Sequence, residues 1–595
     1  MRRNFIVFAS LIGVSVSCFF ERSSHDLIQE FNKDAYSIKE FKNPKLKEKV
    51  VFEGFEESAE TGEATDIRNY ITKNSEGNID LTIKFEDDYI ENVDKPPLDA
   101  SMEEVNLAIK RKRQEVKRYF SNQNRKKLNN LKLKKIKYSF ISNYSPYVDL
   151  TIPKSDFIEN DCCILNELSS NDDVDTVYIK DCNSLLNESN MESALPTVGL
   201  PKPVDIPSSP YSGNGVNIGI LEASGVFDKT NPNFVGTTAE ARDALFFSES
   251  VSEHATRVAS IVGGNSGIAR GAKIYCDELS GNPKNEVEWM LDKGCNIITN
   301  SWSETNETKT GNYKSDSAYF DYISRTNWCT ICASAGNAGN DNGFVGNPGL
   351  GFNVITVGAS YDNDTLRGSS SFKESFGISK PTLVAPGSYI DVPNLAGYHV
   401  DPTDGSIHYD NCGTSFATPI VAGSIALLME QYPYLKAYPE TIISLLTATT
   451  TKMSITYSDF DSSGLEEKVG AGKFSYTRAK KAIYKNFDFS NESNESKRYI
   501  ASKEVHFKKG KTLRVSLAWL VDSNDKTDTD IVTDYDLHIC NSKGIRIAGS
   551  QSSFNNIELV ECTVPENDTY SIKVYQYGPK KGKRKDYGTV TYYSY

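Results

Sequence analysis

This 595-residue chain has no excess of positive charge. Lys and Arg number 66 against 79 Asp and Glu, for a net charge of -13 and a pI near 5.2. That balance excludes a nucleic-acid binder driven by phosphate contacts. After residue 18 there is no apolar run long enough to cross a bilayer. There is also no second Cys-x-x-Cys. Cys329 and Cys332 have that spacing once, on a stretch that reads as a strand, and so point to no metal or redox site. A hydrophobic content of 38% and a charged content of 24% describe a soluble globular protein. The length is too great for one core, so several domains are expected.

Arg2-Arg3 and the apolar residues 5–16 read as an export signal over 1–18, too short to span a membrane. Ser15-Val16-Ser17-Cys18 suggests a lipoprotein-type cleavage site with Cys18 taking the lipid, so membrane contact is expected only through that anchor. Eleven cysteines in an exported chain suggest disulfides, and Cys540 with Cys562 is a candidate pair. Residues 19–95 are polar, weakly patterned and read as a linker region. A small α+β domain is expected over 96–185. Ser101 and Glu104 form a capping box for a helix ending near Phe120, whose basic run 110–113 reads as a solvated face. Ile136, Tyr138 and Phe140 alternate as a strand, as do Val148, Leu150 and Ile152. A second helix is expected over 155–168 and a further strand over 174–179. Pro196, Pro201, Pro203, Pro207 and Pro210 then mark a linker.

The chemistry-bearing stretch is Gly413-Thr414-Ser415-Phe416-Ala417-Thr418-Pro419. A Gly-Thr-Ser turn opens into an apolar helix reading to about Glu430. Ser415 thus sits at a helix N-terminus, where free N–H groups and the macrodipole favour developing negative charge. Pro419 falls within the first turn or so, where its missing N–H costs least. Taken alone, Ser415 is a helix cap. Over its full length the stretch resembles the nucleophile signature of the subtilisin-like serine proteases, and other segments resemble that family in the same order.

The short apolar strand 216–221 ends at Glu222, where the family has Asp. The resemblance implies a carboxylate there that accepts the Nδ1–H of the catalytic His and fixes its tautomer. Glu222 is preferred because a strand end fixes that geometry; Asp228, in the loop that follows, is the rival. His254-Ala255-Thr256-Arg257-Val258-Ala259 is similar to the family's histidine helix, with Ala255 for Gly and Arg257 for a second His. Asn300-Ser301-Trp302-Ser303, after an apolar strand, resembles the segment that pairs with an extended substrate. Ala335-Gly336-Asn337-Ala338-Gly339 resembles the segment whose Asn amide supports the oxyanion. The resemblance therefore implies catalytic Glu222, His254 and Ser415, oxyanion donor Asn337, and substrate contacts at Ser301, Trp302, Ser303 and Gly336. It covers about 200–485 and implies an α/β fold: a parallel sheet with helices on both faces and the site at the strands' carboxyl ends. The polar stretches 308–321 and 451–468 read as surface insertions or lids. The 96–185 region resembles the family's inhibitory pro-segment.

From about 490 short alternating strands suggest a β-sandwich or jelly roll over 490–595. No cofactor is required by this reading. Calcium is possible at the carboxylates between Asp522 and Asp536, although no fixed ligand spacing supports it. The leading expectation is a secreted or surface-anchored serine endopeptidase, monomeric, acting on polypeptides. The alternative is a catalytically impaired surface binding protein on the same scaffold, motivated by Glu222 and the altered histidine motif.

Overall fold

The computed structural model describes residues 50–53, 78–131, 137–153, 168, 170–180, 194–201, 210–242, 251–279, 283–303, 311–339, 343–372, 377–388, 398–400, 407–409, 413–453, 462–496, 498–522 and 532–595. The signal, Cys18, most of the 155–168 helix, and Pro203 and Pro207 lie outside these. The chain divides into two compact units: Met1–Asp88, Phe120–Ser142 and Pro146–Cys182 form one, and Tyr89–Tyr119, Asn143–Ser145 and Asn183–Tyr595 the other.

The first unit is built on a five-stranded sheet: β1 (Val50–Glu53), β2 (Asn78–Phe85), β3 (Lys137–Ile141), β4 (Tyr147–Pro153) and β5 (Val174–Lys180). Its order is β1-β5-β2-β4-β3. Only β1–β5 is parallel. The expected strands in 137–180 are present, but the reading of 19–95 as linker is overturned, since β2 is the central strand. Its Leu81, Ile83 and Phe85 alternate as a strand should, but Thr82 and Lys84 between them are also buried, with carboxylate partners Asp149 and Asp175.

Helix α1 (Met102–Asn130) opens with the expected capping box: Ser101 N donates to Glu104 Oε2 (2.8 Å) and Glu104 N to Ser101 Oγ (3.3 Å). It runs ten residues past the expected end. Asn124 holds a place in the buried stripe by donating to the Ser142 carbonyl (2.8 Å), so the apolar period continues to Leu128 behind a polar residue. The basic run also departs from its reading. Residues 110 and 111 are exposed, whereas Lys112 and Arg113 are buried.

The second unit centres on a seven-stranded sheet. Its strands are β6 (Asn217–Glu222), β7 (Ala239–Ala241), β8 (Lys273–Glu278), β9 (Ile297–Asn300), β10 (Thr330–Ser334), β11 (Val354–Ser360) and β12 (Leu383–Pro386). Every pairing is parallel and the order is β12-β11-β10-β9-β6-β8-β7. The α/β fold class expected from sequence is therefore observed. Helices cover both faces, as a parallel sheet requires. Ile218 and Ile220 of β6 join one core with α2 (Glu253–Gly263) and α5 (Thr414–Gln431). On the opposite face, a Cβ at Gly219 would stand 2.5 Å from the Met290 sulfur of α3 (Lys284–Asp292), so glycine lets that side chain lie on the strand. α4 (Ser315–Asn327) lies beside α3, with the Tyr319 hydroxyl on the Lys284 carbonyl. α4 overturns the reading of 308–321 as a surface insertion: all thirteen of its residues are buried. Part of its polar character is met by distant backbone groups, as buried polar groups favour. Asp321 accepts from the N–H of Phe352 (2.9 Å) and Asn353 (2.6 Å) and from the Tyr313 hydroxyl.

A short hairpin pairs β13 (Tyr398–Val400) with β14 (Ile407–Tyr409). After α6 (Pro439–Ala448) and α7 (Tyr476–Ala482) the chain enters eight antiparallel strands. β15 (Asn486–Asn491), β17 (Thr512–Trp519), β20 (Ile557–Thr563) and β22 (Asp586–Ser594) form one four-stranded sheet. β16 (Arg498–Phe507), β18 (Tyr535–Cys540), β19 (Arg546–Ser550) and β21 (Asp568–Gln576) form the other. Leu513, Val515, Leu537 and Ile572 belong to one core between them, shared with Tyr313 and Phe352. Buried Arg325 of α4 donates to the Leu520 carbonyl (2.8 Å), and Arg514 donates to Thr450 Oγ1 and the Ala471 carbonyl (both 2.8 Å), so this tail is built into the unit. Within 451–468, Ser463 and Leu465 are buried and the Ser463 carbonyl accepts Leu559 N–H, so this end of the stretch is interior and not lid.

Cys540 and Cys562 are free thiols on strands of different sheets, which corrects the expected pair; all six described cysteines are free. Asp522 is engaged by Arg584 Nη1 (2.5 Å) and Asp536 by Gln551 (2.9 Å). Among the described residues no cluster of three or more His, Cys, Asp or Glu is placed to hold a metal. Nor is any described helix long and apolar enough to cross a membrane.

Candidate active site

The strand order reverses between β6 and β9. The chain fills one side of β6 with β8 and β7, then crosses to lay down β9 through β12 on the other. Adjacent carboxyl ends on either side of such a reversal leave a crevice, the usual place for a ligand in an open parallel sheet. Glu222 ends β6, and Ser301 follows directly on β9.

Glu222 is fully buried and fixed by the sheet: it pairs with Glu278 of β8, and its carbonyl accepts Leu279 N–H (2.7 Å). Its Oε2 lies 2.5 Å from His254 Nδ1. His254 is the second residue of α2, whose N-terminus is capped by Ser252 Oγ accepting Ala255 N–H (3.3 Å). An ionised carboxylate at Nδ1 selects the tautomer with its proton there, leaving Nε2 as an acceptor. Nε2 is buried and makes no hydrogen bond. The imidazole packs edge-on against Phe416, with centroids 5.2 Å apart at 82°, next to Ser415. Asp228 takes no part in this contact. Its Oδ1 accepts from Thr230 N (2.8 Å) and Oγ1 (2.7 Å), closing its own turn.

Ser415 is buried in the first turn of α5, whose cap residue Gly413 has φ 153°. Its hydroxyl donates to the Ser301 carbonyl (3.1 Å) and makes no hydrogen bond to the imidazole. Pro419 falls at the start of the second turn and has a local consequence. In a helix the N–H of residue 419 would bond the carbonyl of 415. Proline leaves that carbonyl open, and Ser301 Oγ donates to it (2.7 Å). Ser301 thus clasps the nucleophile's residue from both sides.

Asn337 follows β10. Its Oδ1 accepts Thr414 N–H (3.0 Å) and Thr414 Oγ1–H (3.2 Å), which leaves Nδ2 as the donor end beside the first turn of α5. A Cβ at Gly413 would stand 3.0 Å from that Nδ2, so glycine gives the amide its room. Thr414 Oγ1 also accepts Gly336 N–H (3.1 Å). Ser303 Oγ and Ser371 Oγ each lie 3.2 Å from where a Gly336 Cβ would stand, so β9 and β10 approach closely past their ends. Trp302 is buried, with its carbonyl accepting Ser334 Oγ–H (3.1 Å) and its indole N–H unpartnered. Nearby on β8, burial and the Glu222 charge push the Cys276 thiol well above its usual range, so it stays a neutral neighbour.

The nominated residues Glu222, His254, Ser301, Gly336, Asn337 and Ser415 thus converge at one crevice, with Trp302 and Ser303 at its β9 side. Sequence reading missed the Ser301 clasp, the Phe416 wall and the Ser252 cap. The last had a signal, a Ser just before a helical stretch.

Residues 169–472 match the subtilase family, peptidase S8. The chain belongs to the subtilase family. This is a family of serine endopeptidases. Serine protease AprX of Bacillus subtilis (strain 168) is 36% identical over 135 residues, 20% of this chain and 30% of AprX. Subtilisin DY of Bacillus licheniformis is 26% identical over 243 residues, 38% of this chain and 81% of that protein. The alignment thus spans less than a third of AprX. Among solved structures, the patellamide maturation protease PatA is 23% identical over 45% of this chain and 97% of its own, with a TM-score of 0.34.

Proposed function

We propose that this subtilase is an exported serine endopeptidase in which Glu222, not an aspartate, orients the catalytic histidine. The observation that carries the reading is the 2.5 Å contact from Glu222 Oε2 to His254 Nδ1, with the opposite nitrogen buried and unpartnered. Substrate adds as a strand along the ends of β9 and β10. With substrate bound, the Ser415 hydroxyl turns from the Ser301 carbonyl to His254 Nε2, since catalytic hydrogen bonds often form only in the complex. Nε2 takes the proton as Oγ attacks the scissile carbonyl, and Glu222 stabilises the resulting imidazolium. Asn337 Nδ2 and the Ser415 backbone N–H hold the tetrahedral oxyanion. The imidazolium then gives its proton to the leaving amine, and water, deprotonated by the same nitrogen, hydrolyses the acyl-enzyme.

The test is hydrolysis of a denatured protein and labelling by a fluorophosphonate probe, in wild type and Ser415→Ala. Retained hydrolysis by folded Ser415→Ala removes the reading. The second reading, a silent binding protein, draws on the Ser415 hydroxyl resting on Ser301 and not on the imidazole. Folded wild type that takes no probe favours it. The proposal extends to export by residues 1–18, a lipid on Cys18, folding assistance by a pro-segment within 96–185, and a tail β-sandwich that targets substrate. Deleting residues after 490 is expected to impair cleavage of large substrates; unchanged cleavage and localisation would remove the targeting role.

A further inference from the structure

The region before the catalytic sheet does not behave as one removable piece. Residues 89–119 belong to the same compact unit as the catalytic sheet and the tail, and their contacts are those of a core element.

Arg113 is the clearest case. Its guanidinium is buried and donates to three backbone carbonyls: Cys295 (2.6 Å), Asn327 (3.2 Å) and Leu291 (3.4 Å). Leu291 and Asn327 lie in the last turns of α3 and α4, where helix carbonyls lack intrahelical donors and the macrodipole favours a cation. One buried arginine therefore serves the negative ends of two catalytic-region helices. Beside it, Val105 and Ile109 of α1 pack in one apolar cluster with Trp328 and Ala437. Lys112 is fully buried, 3.5 Å from Glu91 and 5.4 Å over the Trp328 ring.

The irregular segment leading to α1 is anchored as firmly. Lys95 pairs with Glu440 at 2.5 Å, both nearly sealed from solvent, and sits 4.5 Å over the Tyr438 ring and 5.1 Å over that of Tyr587 in the tail. Tyr438 donates its hydroxyl to the Pro96 carbonyl (2.8 Å). Lys436, also buried, donates to Asn106 (2.7 Å). Arg584 of the tail donates to the Tyr89 carbonyl (3.4 Å). Removing residues 89–119 would leave Glu440 without its buried cation, two helix ends without the Arg113 guanidinium, and the Trp328 indole without its apolar cover. Stripping the cation from a buried carboxylate is far costlier than losing an exposed contact.

We infer that residues 89–119 are a permanent part of the active enzyme, bound as a strap between catalytic sheet and tail even after the chain is cut downstream of them. Only the first of two measurements rests on the proposed peptidase activity. In the first, active enzyme is isolated by its fluorophosphonate label under native conditions and its peptides are mapped. Recovery of residues 89–119 at one per labelled Ser415 supports the inference; active labelled enzyme without them overturns it.

The second measurement needs no activity. A cleavage site for an added protease is placed within 183–193 of the Ser415→Ala chain, and the cut protein is run on gel filtration and melted. Co-elution of both pieces, with melting within about 3 °C of the uncut chain, supports the strap. Separation into two folded pieces overturns it. Arg113→Ala should lower the melting temperature of the cut protein by about 5 °C or more, whereas exposed Arg111→Ala should not. Equal effects of the two would also overturn it. If the first measurement fails because nothing is labelled, the proposed activity falls, and the gel-filtration result still decides the strap.

Discussion

Shortening Glu222 by one methylene is the sharpest test of the catalytic geometry. Glu222→Asp installs the residue that the family resemblance leads one to expect, yet here it should cripple the enzyme. The backbone at 222 cannot advance to compensate, because it is paired in register with Glu278 on one side and its carbonyl is tied to Leu279. Withdrawing the carboxylate by one C–C bond of about 1.5 Å takes the present 2.5 Å contact to about 4 Å, outside hydrogen-bond range. The imidazole then loses both the acceptor that sets its tautomer and the charge that stabilises its protonated form. Losses of this kind run to about 10²–10⁴-fold, or about 3–5 kcal/mol of transition-state stabilisation. The assay is kcat/KM on a fluorogenic peptide, alongside the second-order rate of fluorophosphonate labelling and a melting curve to establish folding. Both rates should fall together, with KM nearly unchanged. Glu222→Gln should be similarly impaired, and Asp228→Asn should be near wild type. A folded Glu222→Asp enzyme as fast as wild type, or an Asp228→Asn enzyme that is dead, would refute the reasoning.

Asn337→Ala should lower kcat by about 10²–10³ with little change in KM, a range borrowed from the equivalent donor in subtilisin; steady-state kinetics at saturating peptide checks it. Ser301→Ala should strand the Ser415 carbonyl that Pro419 leaves open, costing about 1–3 kcal/mol in urea denaturation and lowering kcat. Burial, with Arg113 adding to it, pushes the Lys436 ammonium from its usual 10.5 down to about 7. Between those values the unfolded chain binds the extra proton, so this group makes the protein more stable as pH rises from about 7 to 10.5 and adds no slope below. Lys436→Met should remove that part of the slope in melting temperature measured across pH 7–10.

The catalytic crevice was largely legible because its parts sit at the ends of short, fully buried parallel strands. Such strands read as compact apolar runs, and the first polar residue after each, Glu222 or Ser301, marks the carboxyl edge. What escaped reading was polar and buried. Ser315–Asn327 looks like a hydrophilic insertion, but its Asp321 and Arg325 are consumed by backbone groups distant in sequence. Lys112 and Arg113 sit in a run of four basic residues, and nothing local tells which two turn inward. β2 alternates plainly, but its acidic and amide-rich surroundings hide it. In each case the partner that makes burial tolerable lies far along the chain.

From Thr414 to Met429 every residue of α5 is buried. The reactive hydroxyl is thus the tip of an axle running through the interior, with no flexible arm between it and the core. Nothing can jostle that core without disturbing the chemistry, so heat should extinguish probe labelling and melt the protein in one event. A warmed form that is loosened yet still competent has no place in such a design.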